Sequence, residues 1–141
     1  MKLFTNTSHR PIYIGKILFY VEVFVLQNEL RLKRRNDFRK IYNSGRSYAN
    51  RELVLFLMEN NSIEHFRLGI SVSKKIGNAV TRNRVKRLVK EAFRSLICEI
   101  SIKNNVDIII IARSPTVNMT FTQFKRSLKD IVKKSKLVVI K

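Results

Sequence analysis

The chain has 141 residues, enough for one domain with a real core and too few for two. Hydrophobic residues at 45% exclude a largely disordered chain, while 29 Lys and Arg against 10 Asp and Glu leave a formal charge of +19. A charge of that size repels itself in the compact state, so a polyanionic partner is expected, nucleic acid before an anionic membrane surface.

The first stretch differs from the rest. Residues 12–26 are strongly apolar but carry Lys16 and Glu22, which makes them too short and too charged for a good membrane-spanning helix. Lys2 and Arg10 ahead of them imitate a signal peptide, yet no small-residue cleavage site follows and the chain runs straight into RLKRR. An extra strand, an extra helix or an upstream reading of the gene would each account for this run. Lys2, Arg10 and Lys16 against Glu22 leave +2 in residues 1–26, so +17 of the +19 falls in residues 27–141. The expected organisation is an N-terminal extension, 1–26, followed by one domain, 27–141. The functional chain is expected to begin near Val25 or Leu26, or else residues 1–24 form a dispensable appendage.

Beyond that point the punctuation is clearer. Residues 36–45 read as a short helix with Asn36 as N-cap, Phe38, Ile41 and Tyr42 on one face, and Gly45 as the stop. Residues 52–60 and 66–73 read as strands, joined as a hairpin through NNSIEH. Residues 106–113, VDIIIIAR, are apolar on consecutive positions, as in a strand covered on both faces. After Pro115 comes an amphipathic helix with Phe121, Phe124, Leu128, Ile131 and Val132 inward. The predicted fold class is α+β, a small α-β sandwich in the order helix, short strand, two strands, basic helix, strand, helix.

The basic helix lies between the second and third groups of strands, in GNAVTRNRVKRLVKEAFR. Val85, Leu88, Val89, Ala92, Phe93, Leu96 and Ile97 recur every three or four residues and must face the core. At about 100° per residue, Asn83, Lys86, Arg87, Lys90 and Arg94 gather on a neighbouring flank, with Arg82 at its border and Arg84 farther round. Ordinary solvated helices alternate Glu with Lys at four-residue spacing, whereas this one has only Glu91 as relief. Guanidinium forks grip phosphates, and Asn83 adds an amide among them. The flank therefore reads as a polyanion-binding surface. Cys98, the single cysteine, excludes an intramolecular disulfide, suits a reducing cytoplasm and is expected to pack on the apolar side of this helix.

Over residues 67–94 the chain resembles the bacterial ribonuclease P protein family. The family's RNR signature corresponds to Arg82, Asn83 and Arg84, set within the longer Lys-Lys-x-Gly-Asn-Ala-Val turn and basic helix. RLKRRNDFRKIYNSGRSYANRELVLF and DIIIIARSP extend the similarity over roughly residues 27–137. The resemblance implies a ribosomal protein S5 domain 2-like sandwich with a left-handed crossover. It also implies a ribonucleoprotein that removes the 5′ leader from precursor tRNA, in which the RNA subunit supplies the active site and holds the catalytic magnesium. On this reading Arg82, Asn83, Arg84, Lys86, Arg87 and Lys90 bind the RNA subunit. Phe38, Tyr42, Phe56, Asn50, Arg51, Arg67 and Lys74 form a cleft for the single-stranded leader, where aromatic faces stack on bases. The partners are the catalytic RNA and precursor tRNA, with no membrane and no obligate protein partner, in the cytoplasm.

Other classes fit less well. A stand-alone nuclease needs a histidine pair or clustered acids, and neither His9 and His65 nor Asp37, Asp107 and Asp130 form such a motif, so no catalytic or metal-binding residue is expected. A ribosomal protein or RNA chaperone would share the charge but not the string from Lys74 to Lys90. A protein docked on a membrane surface would use the apolar N-terminus beside RLKRR.

Overall fold

The computed structural model of the chain describes residues 9–14, 17–22 and 30–139. The described part of the apolar start forms strands rather than a helix. β1 (His9–Ile14) and β2 (Ile17–Glu22) pair antiparallel as a separate two-stranded sheet, His9 opposite Glu22 and Ile14 opposite Ile17. Val25 and Leu26 lie outside the described residues.

The main sheet holds β3 (Arg46–Ala49), β4 (Leu53–Glu59), β5 (Phe66–Val72) and β6 (Val106–Ala112) in the order β3-β4-β6-β5. The expected hairpin between β4 and β5 does not form. β6 lies between them, antiparallel to β4 and parallel to β5. The reason is in the residues: β4 alternates Leu53, Leu55 and Leu57 with less buried positions, while β6 is apolar on both faces and needs the centre of a covered sheet. β5 and β6 are thus joined by a crossover through α2 (Ala79–Ile97), the connection for which the resemblance implies a left hand.

One face of the sheet carries α2 and α3 (Phe121–Lys134). Leu55, Ile108 and Ile110 from the strands meet Val89, Phe93 and Leu96 from α2 and Phe124, Leu128 and Ile131 from α3, all fully buried. Phe66 and Phe93 pack edge to face, ring centroids 5.5 Å apart. The opposite face has a smaller core of Leu32, Ile41 and Ile109 beneath α1 (Arg35–Ser44). Gly45 closes α1, its N–H donating to the carbonyl of Ile41.

Several expectations are corrected here. Arg34, not Asn36, is the N-cap of α1 and makes no side-chain cap bond, so Asn36 lies inside the first turn. Phe121 is exposed because it is the first residue of α3, ahead of the turn that meets the sheet. Arg94 is 6% exposed rather than open to solvent. Exposure declines along that flank from Lys86 and Arg87 through half-buried Lys90 to Arg94, so the flank sinks into the fold toward the end of α2. Cys98 is exposed: it is the C-cap, just beyond the last turn whose apolar side packs.

Candidate nucleic-acid interface

The start of α2 is set by a chain of local caps. Ser73 follows β5 and accepts a hydrogen bond from the Lys75 N–H through Oγ at 3.0 Å, capping a 3-10 turn, Lys74–Ile76. Gly77 follows at φ 157°, a conformation that side chains disfavour, and Asn78 Oδ1 then accepts from the Thr81 N–H at 2.9 Å. This sequence of turns leaves Lys74 and Lys75 exposed at the strand end from which α2 departs.

On α2 itself Asn83, Arg84, Lys86 and Arg87 are exposed, and Arg82 and Lys90 are half-buried. Arg84 differs from the others: its Nη2 donates to the Val117 carbonyl at 2.6 Å, tying α2 to the 3-10 turn Ser114–Asn118 that follows β6. Lys90 has its pKa held below the ordinary value, first by burial and then by the charges of Arg31, Lys86 and Arg87. Arg31 was not among the residues expected from sequence. The chain there bridges in parallel to Leu68, with the Leu32 N–H donating to the Leu68 carbonyl at 2.9 Å, which brings Arg31 along β5 to the basic flank. The RLKRR run was a visible signal of charge; its destination was not.

The other face of the sheet assembles four of the predicted cleft residues, three of them aromatic. Phe38 and Tyr42 lie one turn apart on α1 with ring centroids 6.3 Å apart, and Tyr42 meets Phe56 of β4 edge to face at 5.1 Å. Tyr42 is 37% exposed, whereas Phe38 and Phe56 are half-buried. Phe38 sits directly on β5, where a Cβ on Gly69 would stand 2.6 Å from its Cζ.

Arg67 shares this face but is engaged within it. Its Nε and Nη2 donate to Asp107 Oδ1 and Oδ2 at 2.7 and 2.9 Å, and Asp37 of α1 lies 3.8 Å from Nη1. Asp107 is 2% exposed and also accepts from Asn60 Nδ2 at 2.9 Å, so the buried carboxylate is fully paired. The hydrogen bond to Asp107 raises the pKa of Arg67, with the charges of Asp107 and Asp37 acting in the same sense against burial.

Asn50 and Arg51 are not brought to the aromatic group. Asn50 occupies the β3–β4 connection, where Oδ1 accepts from the N–H groups of Glu52 and Leu53 at 3.1 and 2.7 Å. Its Nδ2 donates to the carbonyl and Oγ of Ser127 on α3, at 3.1 and 3.0 Å, and its own carbonyl accepts from Arg113 Nη1 at 3.0 Å. The side chain thus holds α3 to the connection, and Arg51 stands exposed at the edge of a depression it shares with Gln123 and Arg126 of α3. Among the described residues no group of three His, Cys, Asp or Glu could hold a metal ion, and no helix is long and apolar enough to cross a membrane. His65 Nδ1 lies 3.0 Å from the Phe66 carbonyl.

Residues 26–136 match the family model for ribonuclease P. The ribonuclease P protein component of Macrococcus caseolyticus is 48% identical over 111 residues, covering 79% of this chain and 94% of that protein. The chain belongs to the bacterial ribonuclease P protein family. Its fold is also that of the solved ribonuclease P proteins. The Staphylococcus aureus protein superposes with a TM-score of 0.70 at 45% identity, over 78% of this chain and 98% of that one. The Thermotoga maritima protein gives 0.66 at 32% identity, over 74% and 96%. The family's membership makes this chain the protein subunit of ribonuclease P, acting in removal of the 5′ leader from precursor tRNA, with catalytic activity in the RNA subunit.

Proposed function

We propose that the protein divides its two RNA contacts between the two faces of its sheet. Arg82, Asn83, Lys86, Arg87 and Lys90 on α2, joined by Arg31 and by Lys75 at the strand end, hold the phosphate backbone of the RNA subunit, and Lys74 beside them keeps its expected role toward the leader. Arg84 supports that surface by fastening α2 to the turn after β6. On the other face Tyr42 and Phe56 receive leader bases by stacking, with Phe38 completing the aromatic wall. Stacking of this kind tolerates any base, which suits a leader whose sequence varies. Asn50 and Arg51 lie on the α3 side, where Asn50 serves the fold.

The observation that supports this reading is that α2 packs on one face of the sheet while Phe38, Tyr42 and Phe56 meet on the other, an arrangement in which the catalytic RNA and the leader would be held at once. Magnesium in this arrangement is held by the RNA subunit, and the holoenzyme works in the cytoplasm. Reconstitution with the cognate RNA at low magnesium and 5′-labelled precursor tRNA tests it. Cleavage is expected from the mixture and not from the protein alone. Cleavage by the protein without RNA would overturn the division of labour.

A further inference from the structure

The contact between α1 and the sheet is made by two dissimilar fastenings. At the start of the helix, Asp37 faces Arg67, which is locked to buried Asp107 by two hydrogen bonds. One residue further on, Phe38 lies over Gly69 with no room for a side chain beneath it: a Cβ there would come within 2.6 Å of Cζ and 3.1 Å of Leu32 Cδ2. A turn later Tyr42 leaves the sheet and its ring is exposed beside Phe56. An electrostatic tie at the first turn and a steric seat beside it determine the direction in which α1 runs over the strands. The position of Tyr42 relative to Phe56 follows from that direction.

We infer that Asp37, Arg67 and Asp107, together with the Phe38–Gly69 seat, form a clamp that fixes the tilt of α1 and so the width of the groove that receives the leader. Arg67 and Phe38 are positioning residues: they act mainly through Tyr42, Phe38 as the inner, half-buried end of the aromatic wall. This rests on the proposed leader platform and deepens it. Arg67 has its donors directed at carboxylates, which leaves little of the fork for a phosphate. The inner position of Phe38 over Gly69 likewise leaves Tyr42 as the exposed aromatic of α1.

The test uses the reconstituted holoenzyme and compares affinity for leader-bearing precursor tRNA with affinity for mature tRNA. Arg67→Ala is avoided because it strands the buried Asp107 carboxylate and unfolds the site. Asp37→Asn keeps the shape and loosens the tie, and Gly69→Ala pushes Phe38 off its seat. Each is expected to lower the preference for leader-bearing substrate, Gly69→Ala by about tenfold, the scale of one lost stacking contact. Single-turnover cleavage at saturating enzyme stays at the wild-type rate, since the chemistry belongs to the RNA. The deciding variant is Gly69→Ala with Phe38→Leu, in which the smaller side chain makes room for the new methyl and restores most of the lost preference. If Phe38→Leu alone costs as much as Gly69→Ala and the double variant is no better, Phe38 is a stacking group and the clamp is refuted. Tyr42→Ala separates the two levels. Loss of preference with Tyr42→Ala but with neither Gly69→Ala nor Asp37→Asn overturns the clamp and keeps the platform. No loss with Tyr42→Ala overturns the platform itself.

Discussion

Lys86 offers a perturbation whose two consequences have opposite signs. It is exposed on α2, and its charge is one of those that hold the pKa of Lys90 down in the free protein. On the proposed interface, Lys86→Ala removes a repulsion from the free protein and a phosphate partner from the complex, and Ala is also the better helix former. The melting temperature is therefore expected to hold or rise slightly, while affinity for the RNA subunit falls. Each phosphate contact on a duplex contributes a slope of about −0.9 in log affinity against log salt, so losing one costs about eightfold at ~0.1 M salt and almost nothing at ~1 M. Lys86→Ala with Arg87→Ala should reach about 60-fold at ~0.1 M salt if the contacts are independent. Titration of labelled RNA subunit at fixed magnesium over a series of salt concentrations reads both quantities, and the log–log line should become shallower by about one unit per residue removed. Variant and wild-type lines that run parallel, or a loss of more than ~1 kcal/mol in stability, would refute the reasoning.

Lys90 should make assembly sensitive to alkaline pH. Its depressed pKa means that the charged form is disfavoured in the free protein and the cost is relieved as pH rises through the folded-state value; RNA phosphates favour the charged form, so binding takes up a proton. Affinity should therefore drop as pH rises through a value below 10.5, with Lys90→Arg flattening that drop, and identical profiles for the two proteins would count against the site. Phe93→Ala, at a fully buried ring packed on Phe66, is expected to cost about 3–5 kcal/mol in chemical denaturation. A loss below ~1 kcal/mol would mean that the α2 core is not as assigned. Deleting residues 1–24 should preserve folding and RNA-dependent cleavage, because β1 and β2 pair in a sheet of their own and the family match starts at residue 26. Loss of cleavage on deletion would show that this segment packs on the domain.

Much of this protein was legible from local pattern. The three helices of the domain follow from apolar residues at helical spacing, and the basic flank of α2 follows from the same geometry applied to Arg and Lys, because a helix converts sequence spacing into position with no help from the rest of the chain. The double-sided apolarity of VDIIIIA placed β6 under two layers for the same reason.

What local pattern could not supply was which strand neighbours which, and which side chains are already engaged. The chain order suggested a β4–β5 hairpin, but two half-buried strands do not compete for the centre of a sheet as strongly as one that is apolar throughout, and β6 takes that place. Arg67, Asn50 and Arg84 looked like free donors in the sequence, yet the acceptors that occupy them, Asp107, Ser127 and Val117, lie 40, 77 and 33 residues away. Arg31 joins the α2 flank only because its segment bridges to Leu68 on β5, and Phe38 finds its seat only because Gly69 lies beneath it. Spacing along one element determines the face on which a residue stands; whether that face meets solvent, an acceptor or a glycine depends on long-range pairing, which only the tertiary structure decides.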